Sequence, residues 1–165
     1  PKKKDIIHWN PDRKLQWKDF KGAPDPKSEF SALTNAVLNY KYRAGILEDK
    51  IDLSFEVSCY FEKRFSWVKK GHEKPELLAH EQLHFDITEL YARILRKRLE
   101  QGEYTPSNYK RKCKGIFQQV MKEWKKMQDQ YDKETNHGSK KIDQEKWMKK
   151  VKQEMLEKQK YASSK

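Results

Sequence analysis

The sequence lacks several features that would assign it to a common class. No apolar run approaches the roughly 20 residues that a transmembrane helix needs, so no membrane span is predicted. The two cysteines, Cys59 and Cys113, lie too far apart along the chain to chelate a metal as a pair. They allow one disulfide in an oxidising compartment or two buried thiols, and both alternatives stay open.

The sequence also lacks the usual signals of nucleic-acid binding, although it is strongly basic. The net charge is +12, and residues 106–165 hold 17 Lys/Arg against 8 Asp/Glu. Such a segment can bind nucleic acid or another anionic surface. There is, however, no glycine-rich loop, zinc-finger spacing or interleaved aromatic pattern. We therefore expect helices with lysines on solvated faces, and nucleic acid is an unlikely partner on this basis.

Apolar residues are scarce, and this limits the size of the core. They make up 35% of the chain and charged residues 38%, but 5 Trp, 8 Tyr and 7 Phe supply large apolar surfaces. We expect a single domain over residues 1–150 and a Lys-rich helical extension at 151–165. The chain begins Pro-Lys-Lys-Lys without an initiator methionine. From this we expect either a trimmed chain or a mature form, from which any signal peptide has been removed.

The first 60 residues show alternation typical of extended structure. In residues 15–20, apolar and polar side chains alternate. In residues 32–42, every second side chain is apolar or small, which fits a half-buried strand. The clearest alternation covers residues 51–61. Gly45 and the acidic Glu48-Asp49 are predicted to turn the chain between the last two segments. The result would be an antiparallel hairpin in a small sheet.

After Pro75, apolar residues recur every three or four positions, as on one face of a helix. A proline at this place suits the first turn of that helix. This first helix is predicted to end at Gly102. A second is expected from about Pro106 until residues 135–139 interrupt the pattern, and a third carries Trp147 and further apolar residues at spacing four. The predicted fold class is α+β, a small antiparallel sheet followed by three helices.

The first of these helices contains His80-Glu81-Gln82-Leu83-His84, an HExxH motif. Side chains four apart lie on the same helix face. Two imidazoles so placed can both reach one metal ion at about 2.0–2.1 Å. Glu81 follows the first histidine, where it can act as base for a metal-bound water. The motif predicts a zinc site with His80 and His84 as ligands.

A catalytic zinc usually has a third protein ligand, and the sequence offers several. Glu89 is turned to the opposite side of the helix, Glu103 lies in a turn after Gly102, and His72 precedes the helix in a flexible context. His137 lies in the break between the second and third helices, where a loop can aim a side chain into a cleft. We predict that His137 is the third ligand.

The string from residue 77 to 87, with its HEQxHFD core, resembles a bacterial family long catalogued as a domain of unknown function and described as secreted zinc-dependent proteases. The resemblance covers roughly residues 9–150. It implies a periplasmic or secreted protein with a zincin-like HExxH active-site helix and Zn²⁺ as cofactor. Further matching pieces are residues 15–22, Ser66-Trp67, Tyr131-Asp132, Thr135, His137-Gly138, Gln144 and Trp147.

The function predicted from these residues is zinc-dependent peptide hydrolysis. Zinc would activate a water, and Glu81 would take its proton as the water attacks a peptide carbonyl. Tyr131 is predicted to donate a hydrogen bond to the oxyanion, the alternative being a core residue of the second helix. The rival function is a non-catalytic zinc-binding module that binds an envelope partner or an anionic polymer through its basic helices.

Overall fold

The computed structural model describes residues 3–163, and the outermost residues of the predicted 1–150 and 151–165 segments lie outside this range. The fold is α+β, with a small antiparallel sheet and three helices, as predicted. Two further single turns of 3₁₀ helix lie at the ends, at Lys3–Asp5 and Gln159–Tyr161. The main elements are β1 (Ile6–His8), β2 (Ala32–Leu33), β3 (Ala36–Leu47), β4 (Lys50–Glu62), β5 (Trp67–Val68), α1 (Pro75–Glu100), α2 (Tyr109–Thr135) and α3 (Lys141–Glu157).

The sheet is built on the hairpin that the alternating pattern predicted. β3 and β4 pair from Ala36 opposite Phe61 to Leu47 opposite Lys50, and β1 adds to the other edge of β4. Glu48 takes a left-handed conformation at the two-residue turn, with φ of 55°. A separate two-stranded sheet joins β2 to β5. The end of β4 that holds Phe61 is buried, whereas the side chain of Leu47 at the turn is 77% exposed.

Two extended segments predicted from alternation were wrong in detail. Residues 17–19 form a turn of 3₁₀ helix instead of a strand, because the Asp19 carboxylate accepts hydrogen bonds from the Gln16 backbone and the Arg13 guanidinium. The predicted strand over 32–42 is divided between β2 and β3. At the break, the Asn35 backbone N–H donates to Ser66 Oγ, 2.9 Å away, instead of to a neighbouring strand.

Helix α1 is the centre of the core. It starts at Pro75 as predicted and packs against β3, β4, α2 and α3, so it is buried on several sides. Phe85 on α1 is fully buried and meets Phe61 of β4 with ring centroids 6.0 Å apart. Burying one such side chain contributes roughly 1.5–3 kcal/mol. The polar residues that α1 also buries are therefore held in a closely packed surrounding.

Helix α3 crosses the boundary that the sequence predicted at residue 150. It runs without interruption to Glu157. Val151 and Met155 are buried in the same core as Trp147. The Arg93 guanidinium on α1 also donates to the Met155 carbonyl oxygen. The predicted start of the extension thus falls inside a packed helix.

Cys59 and Cys113 are both buried free thiols in the structure. Of the two alternatives left open by the sequence, the structure shows the unlinked pair. Burial raises the pKa of the Cys59 thiol well above its usual value, and Glu89 adds to the effect. Within residues 3–163, no helix has the length and apolar content needed to cross a membrane.

Candidate metal centre

Three side chains from two helices converge on one point. His80 and His84 lie on the same face of α1, and Asp132 approaches from the last turns of α2. The two Nε2 atoms are 3.1 Å apart. Asp132 Oδ1 lies 3.1 Å from Nε2 of His80 and 3.0 Å from Nε2 of His84. The three atoms form a nearly equilateral triangle.

The dimensions of this triangle fit a small cation. Zinc binds histidine nitrogen and carboxylate oxygen at about 2.0–2.2 Å, so two ligand atoms of a zinc tetrahedron lie about 3.3–3.5 Å apart. The observed separations of 3.0–3.1 Å are only a few tenths of an ångström shorter. Two imidazoles and one carboxylate are also a donor set that zinc accepts. The group can therefore hold a metal ion.

The orientation of the His84 ring is fixed by Gln128. Gln128 Oε1 lies 2.6 Å from His84 Nδ1, and Gln128 Nε2 donates to the His84 carbonyl oxygen. The Gln128 amide nitrogen donates to a carbonyl oxygen, so the amide oxygen is the atom that faces the His84 ring. An oxygen accepts, and Nδ1 of His84 must therefore carry the proton. That tautomer leaves the lone pair of Nε2 pointing at the candidate metal position.

His80 also contacts a glutamine amide, on the other side of the centre. Its Nδ1 lies 3.1 Å from Gln144 Oε1, which also accepts a hydrogen bond from the Tyr131 hydroxyl. The Tyr131 ring stacks on the imidazole, with centroids 4.6 Å apart and planes 24° from parallel. His80 is only 2% exposed. Both imidazoles are thus held by a glutamine amide and leave Nε2 for a ligand.

When both rings carry their proton on Nδ1, three lone pairs face one another. A proton or a metal ion must stabilise such an arrangement. Burial raises the pKa of Asp132, but the hydrogen bonds to His80 and His84 outweigh it and hold the pKa well below its usual value. Burial lowers the pKa of His84, yet the Asp132 hydrogen bond and the Glu81 charge raise it overall. The centre therefore favours positive charge.

The turn between α2 and α3 closes the centre against His80. Asn136, His137 and Gly138 all have positive φ, of 46°, 53° and 81°. A Cβ placed on Gly138 would lie 2.8 Å from the His80 Cβ. Only glycine allows the backbone this close to the imidazole. The turn therefore fixes the position of one predicted ligand by direct contact.

Glu81 is buried beside the two histidines in sequence and lines the same cleft. Its side chain is 4% exposed, and Oε2 has no hydrogen-bond partner among residues 3–163. A buried, unpartnered carboxylate oxygen is costly to maintain. The Thr34 hydroxyl donates to the Glu81 carbonyl oxygen and ties this part of α1 to the β2–β3 connection. Glu81 thus has one unpartnered carboxylate oxygen, and its charge acts on the neighbouring His84.

The cleft has a volume of ≈ 830 Å³ and lies between α1, α2 and the segment from Glu29 to Ala36. Phe30 reaches across it to His137, with ring centroids 4.9 Å apart. Trp124 and Leu77 add apolar surface. This volume is in the range of sites that bind small molecules or a few residues of a peptide.

Of the other predicted site residues, His137 lies at the edge of the centre. Its Nδ1 is 3.4 Å from Asp132 Oδ1, and its side chain is 50% exposed. The group of atoms close enough to share one ion contains Asp132 and leaves His137 out. The role of His137 as a ligand stays a prediction, while the structure brings a carboxylate into the third place.

Tyr131 is buried in the core next to His80. It is fully buried, and its hydroxyl donates to Gln144 Oε1 at 2.7 Å, with the His80 carbonyl oxygen 3.1 Å away. Burial raises its pKa well above the usual value, so the hydroxyl stays protonated. These contacts support His80; the predicted role in catalysis stays a prediction.

The three residues passed over as ligands are placed apart from the centre. Glu89 is buried in an ionic cluster with Arg93 and Arg96. Glu103 is exposed after the end of α1, and His72 lines the outer part of the cleft. None of the three belongs to the group of side chains that could share an ion within residues 3–163.

Sequence reasoning missed Asp132, although α2 carries a signal for it. Gln128 and Asp132 are four residues apart, so they lie on one helix face with the same spacing as His80 and His84. They also interrupt an apolar stripe that holds Trp124, a position where polar side chains need partners. A matching i, i+4 polar pair on the next helix is therefore the pattern that predicts such a centre.

Residues 69–138 match the model of a family described as bacterial protein of unknown function (DUF922). The match contains α1, Asp132 and His137, and it confirms over this segment the resemblance inferred from the sequence. No curated protein and no solved structure matches the chain.

Proposed function

We propose that this protein is a zinc-dependent metallopeptidase, with α1 as an active-site helix of the zincin type. The proposed zinc ligands are His80, His84 and Asp132. The observation that carries the proposal is the meeting of their three lone-pair atoms at 3.0–3.1 Å beside the unpartnered Glu81 carboxylate oxygen. A purely structural zinc site needs the ligands but no free carboxylate next to them.

When bound, zinc would lower the pKa of a coordinated water towards 7 and polarise a carbonyl oxygen. Glu81 acts as general base and accepts a proton from the attacking water through Oε2. It then delivers that proton to the leaving amine nitrogen. Gln128 and Gln144 keep both imidazoles in the tautomer that leaves Nε2 free. His137, half-exposed beside Asp132, is proposed to assist metal retention at the entrance.

The shape of the cleft supports an extended peptide as substrate. In the ladder between β2 and β5, the Lys69 N–H donates to the Ser31 carbonyl oxygen. Backbone groups alternate along a strand, so those of Ala32 point away from β5. The segment that contains Ala32 lines the cleft. A peptide that pairs with this edge places its backbone along the metal centre. A periplasmic or secreted location is proposed from the family resemblance.

The test compares wild type with Glu81→Gln, which keeps the shape and both imidazoles but removes the proton acceptor. Both proteins are expected to bind about one zinc per chain by metal analysis. Turnover of broad peptide pools, read by mass spectrometry, should fall by about 10²–10⁴-fold in the variant. Gln118→Glu on the exposed side of α2 serves as a control for an unrelated charge change. Equal inactivity of wild type and variant in zinc-loaded form would refute the peptidase and favour the non-catalytic zinc-binding module.

A further inference from the structure

A second groove runs along a different face of α1, between that helix, α3 and the segment from Trp9 to Lys14. Its volume is ≈ 650 Å³. Along α1 it extends from Leu83 to Arg93, ten residues or about 15 Å of helix. Its apolar lining consists of Trp9, Pro11, Leu83, Met148, Val151, Met155 and Leu156.

Part of this lining is exposed without a covering element. Met148 is 44% exposed and Leu156 57% exposed, and both project from α3. Methionine adapts its shape to different partners and is common on binding surfaces. An apolar patch rimmed by polar residues is typical of an interaction site.

The rim of the groove is positively charged. Lys14, Lys149 and Lys152 line it. Within residues 3–163, no ion pair involves Lys149 or Lys152. Asp86 is the acidic side chain of the lining; its carboxylate accepts a hydrogen bond from Trp9 Nε1 at 2.7 Å and lies 4.0 Å from Lys14 Nζ, so it does not offset Lys149 or Lys152. The uncompensated charge therefore favours an acidic partner.

A buried guanidinium lies at one end of the groove. Arg93 is 3% exposed, and its Nε and Nη1 donate to Glu89, Gln159 and the Met155 carbonyl. Its Cζ also lies 5.4 Å from the centroid of the Trp9 ring. Glu89 also forms an ion pair with Arg96, so one carboxylate contacts two guanidinium groups. A second carboxylate at this end would balance the charge.

We propose that this groove docks an acidic amphipathic helix of a partner protein. A length of about 15 Å matches nearly three helical turns. The apolar floor suits residues spaced at i, i+3, i+4 and i+7, while flanking Asp or Glu meet the lysines on the rim. The inference stands apart from the metallopeptidase, since the groove and the metal centre share none of their lining residues.

The probe is a pool of synthetic 14-residue peptides with Leu at i, i+3, i+4 and i+7, Glu at the flanking positions and varied residues elsewhere. Binding to the full chain is followed by fluorescence anisotropy at low salt. We expect selected members to bind and Lys149→Glu/Lys152→Glu to weaken them about tenfold. Met148→Asp, which places a charge on the apolar floor, should weaken them by a similar factor.

Three controls separate this groove from general electrostatics and from a lipid site. Lys114→Glu/Lys122→Glu makes the same charge change on exposed positions of α2 and should alter binding less than twofold. Peptides with the same composition but scrambled order should not bind. Laurate, a fatty acid, is tested as a lipid ligand and should not bind in the groove.

The proposal is overturned if no pool member binds, if the scrambled peptides bind equally, if the two double variants weaken binding alike, or if only laurate binds in the groove.

Discussion

Helix α1 buries two polar clusters that differ in what completes them. Near its C-terminal half, the Glu89 carboxylate lies 3.1 Å from both the Arg93 and the Arg96 guanidinium groups. Near its N-terminal half, His80 and His84 face Asp132 at similar distances. In the first cluster two charged donors meet a charged acceptor, whereas in the second all three facing atoms can bind a metal ion through a lone pair.

This difference separates a structural cluster from a functional one. In the glutamate–arginine cluster, the opposite charges attract one another in the folded chain without an added ion. Removing the glutamate would leave buried positive charge. The histidine–aspartate cluster needs a cation from outside, either a proton or a metal ion. Burial alone does not distinguish the two, because Glu89 is 1% exposed and His80 2% exposed. The pattern of donors and acceptors distinguishes them.

The largest expected effects come from exchanging one carboxylate for an amide in each cluster. Asp132→Asn should weaken zinc binding by at least about 100-fold, since it removes a charged ligand. It should change the stability of the metal-free protein at pH 8 by less than about 1 kcal/mol, because the new amide can donate to an imidazole. Glu89→Gln should cost about 3 kcal/mol of unfolding free energy and leave zinc affinity within a factor of about three.

Zinc affinity is measured by competition with a chromophoric chelator and stability by urea unfolding of the metal-free proteins. The comparison fails if Glu89→Gln lowers zinc affinity as much as Asp132→Asn does. It also fails if Asp132→Asn destabilises the metal-free protein by several kcal/mol, since the aspartate would then serve the fold itself.

Much of the fold follows from local pattern, and the exceptions have local causes. The hairpin and the three helices were predictable because each has one clear period over ten or more residues. The segment around Trp17 alternates in the same way, yet it forms a 3₁₀ turn around the Asp19 carboxylate. The strand break at Thr34-Asn35 depends on Ser66 and on α1, both distant in sequence. Alternation cannot report such contacts.

The candidate site also has a part that was predictable from local spacing and a part that was not. The HExxH pair was predictable because both histidines lie on one helix, so their spacing alone brings them together. The third position depends on how α2 packs on α1, and helix packing selects among side chains that share similar local signals. His137 was predicted for its turn, which the structure does place beside the centre, while Asp132 one turn earlier reaches the shared point.

An intermediate effect is expected from the glutamine that orients His84. Gln128→Leu removes the acceptor for Nδ1, so the imidazole can take the other tautomer and lose its lone pair at Nε2. Zinc affinity should fall by about 10–100-fold. Gln118→Leu, on the exposed side of the same helix, is the matched control and should leave the affinity unchanged. NMR of the imidazole nitrogens would report the tautomer directly; an unchanged tautomer in Gln128→Leu would contradict the assigned role.

The smallest effects are expected from two glycines on α2 and in the turn that follows it. Gly138 has φ of 81° and no room for a Cβ, which would lie 2.8 Å from that of His80. Gly138→Ala should therefore cost about 1–2 kcal/mol of stability and lower zinc affinity about tenfold by displacing the ring. Gly115 lies within α2 with no atom near the position of a Cβ. Gly115→Ala should instead stabilise the protein by about 0.5–1 kcal/mol, because alanine favours the helix, and leave zinc binding unchanged. If both alanines behave alike in unfolding and zinc titration, the close approach of the turn to His80 does not shape the centre.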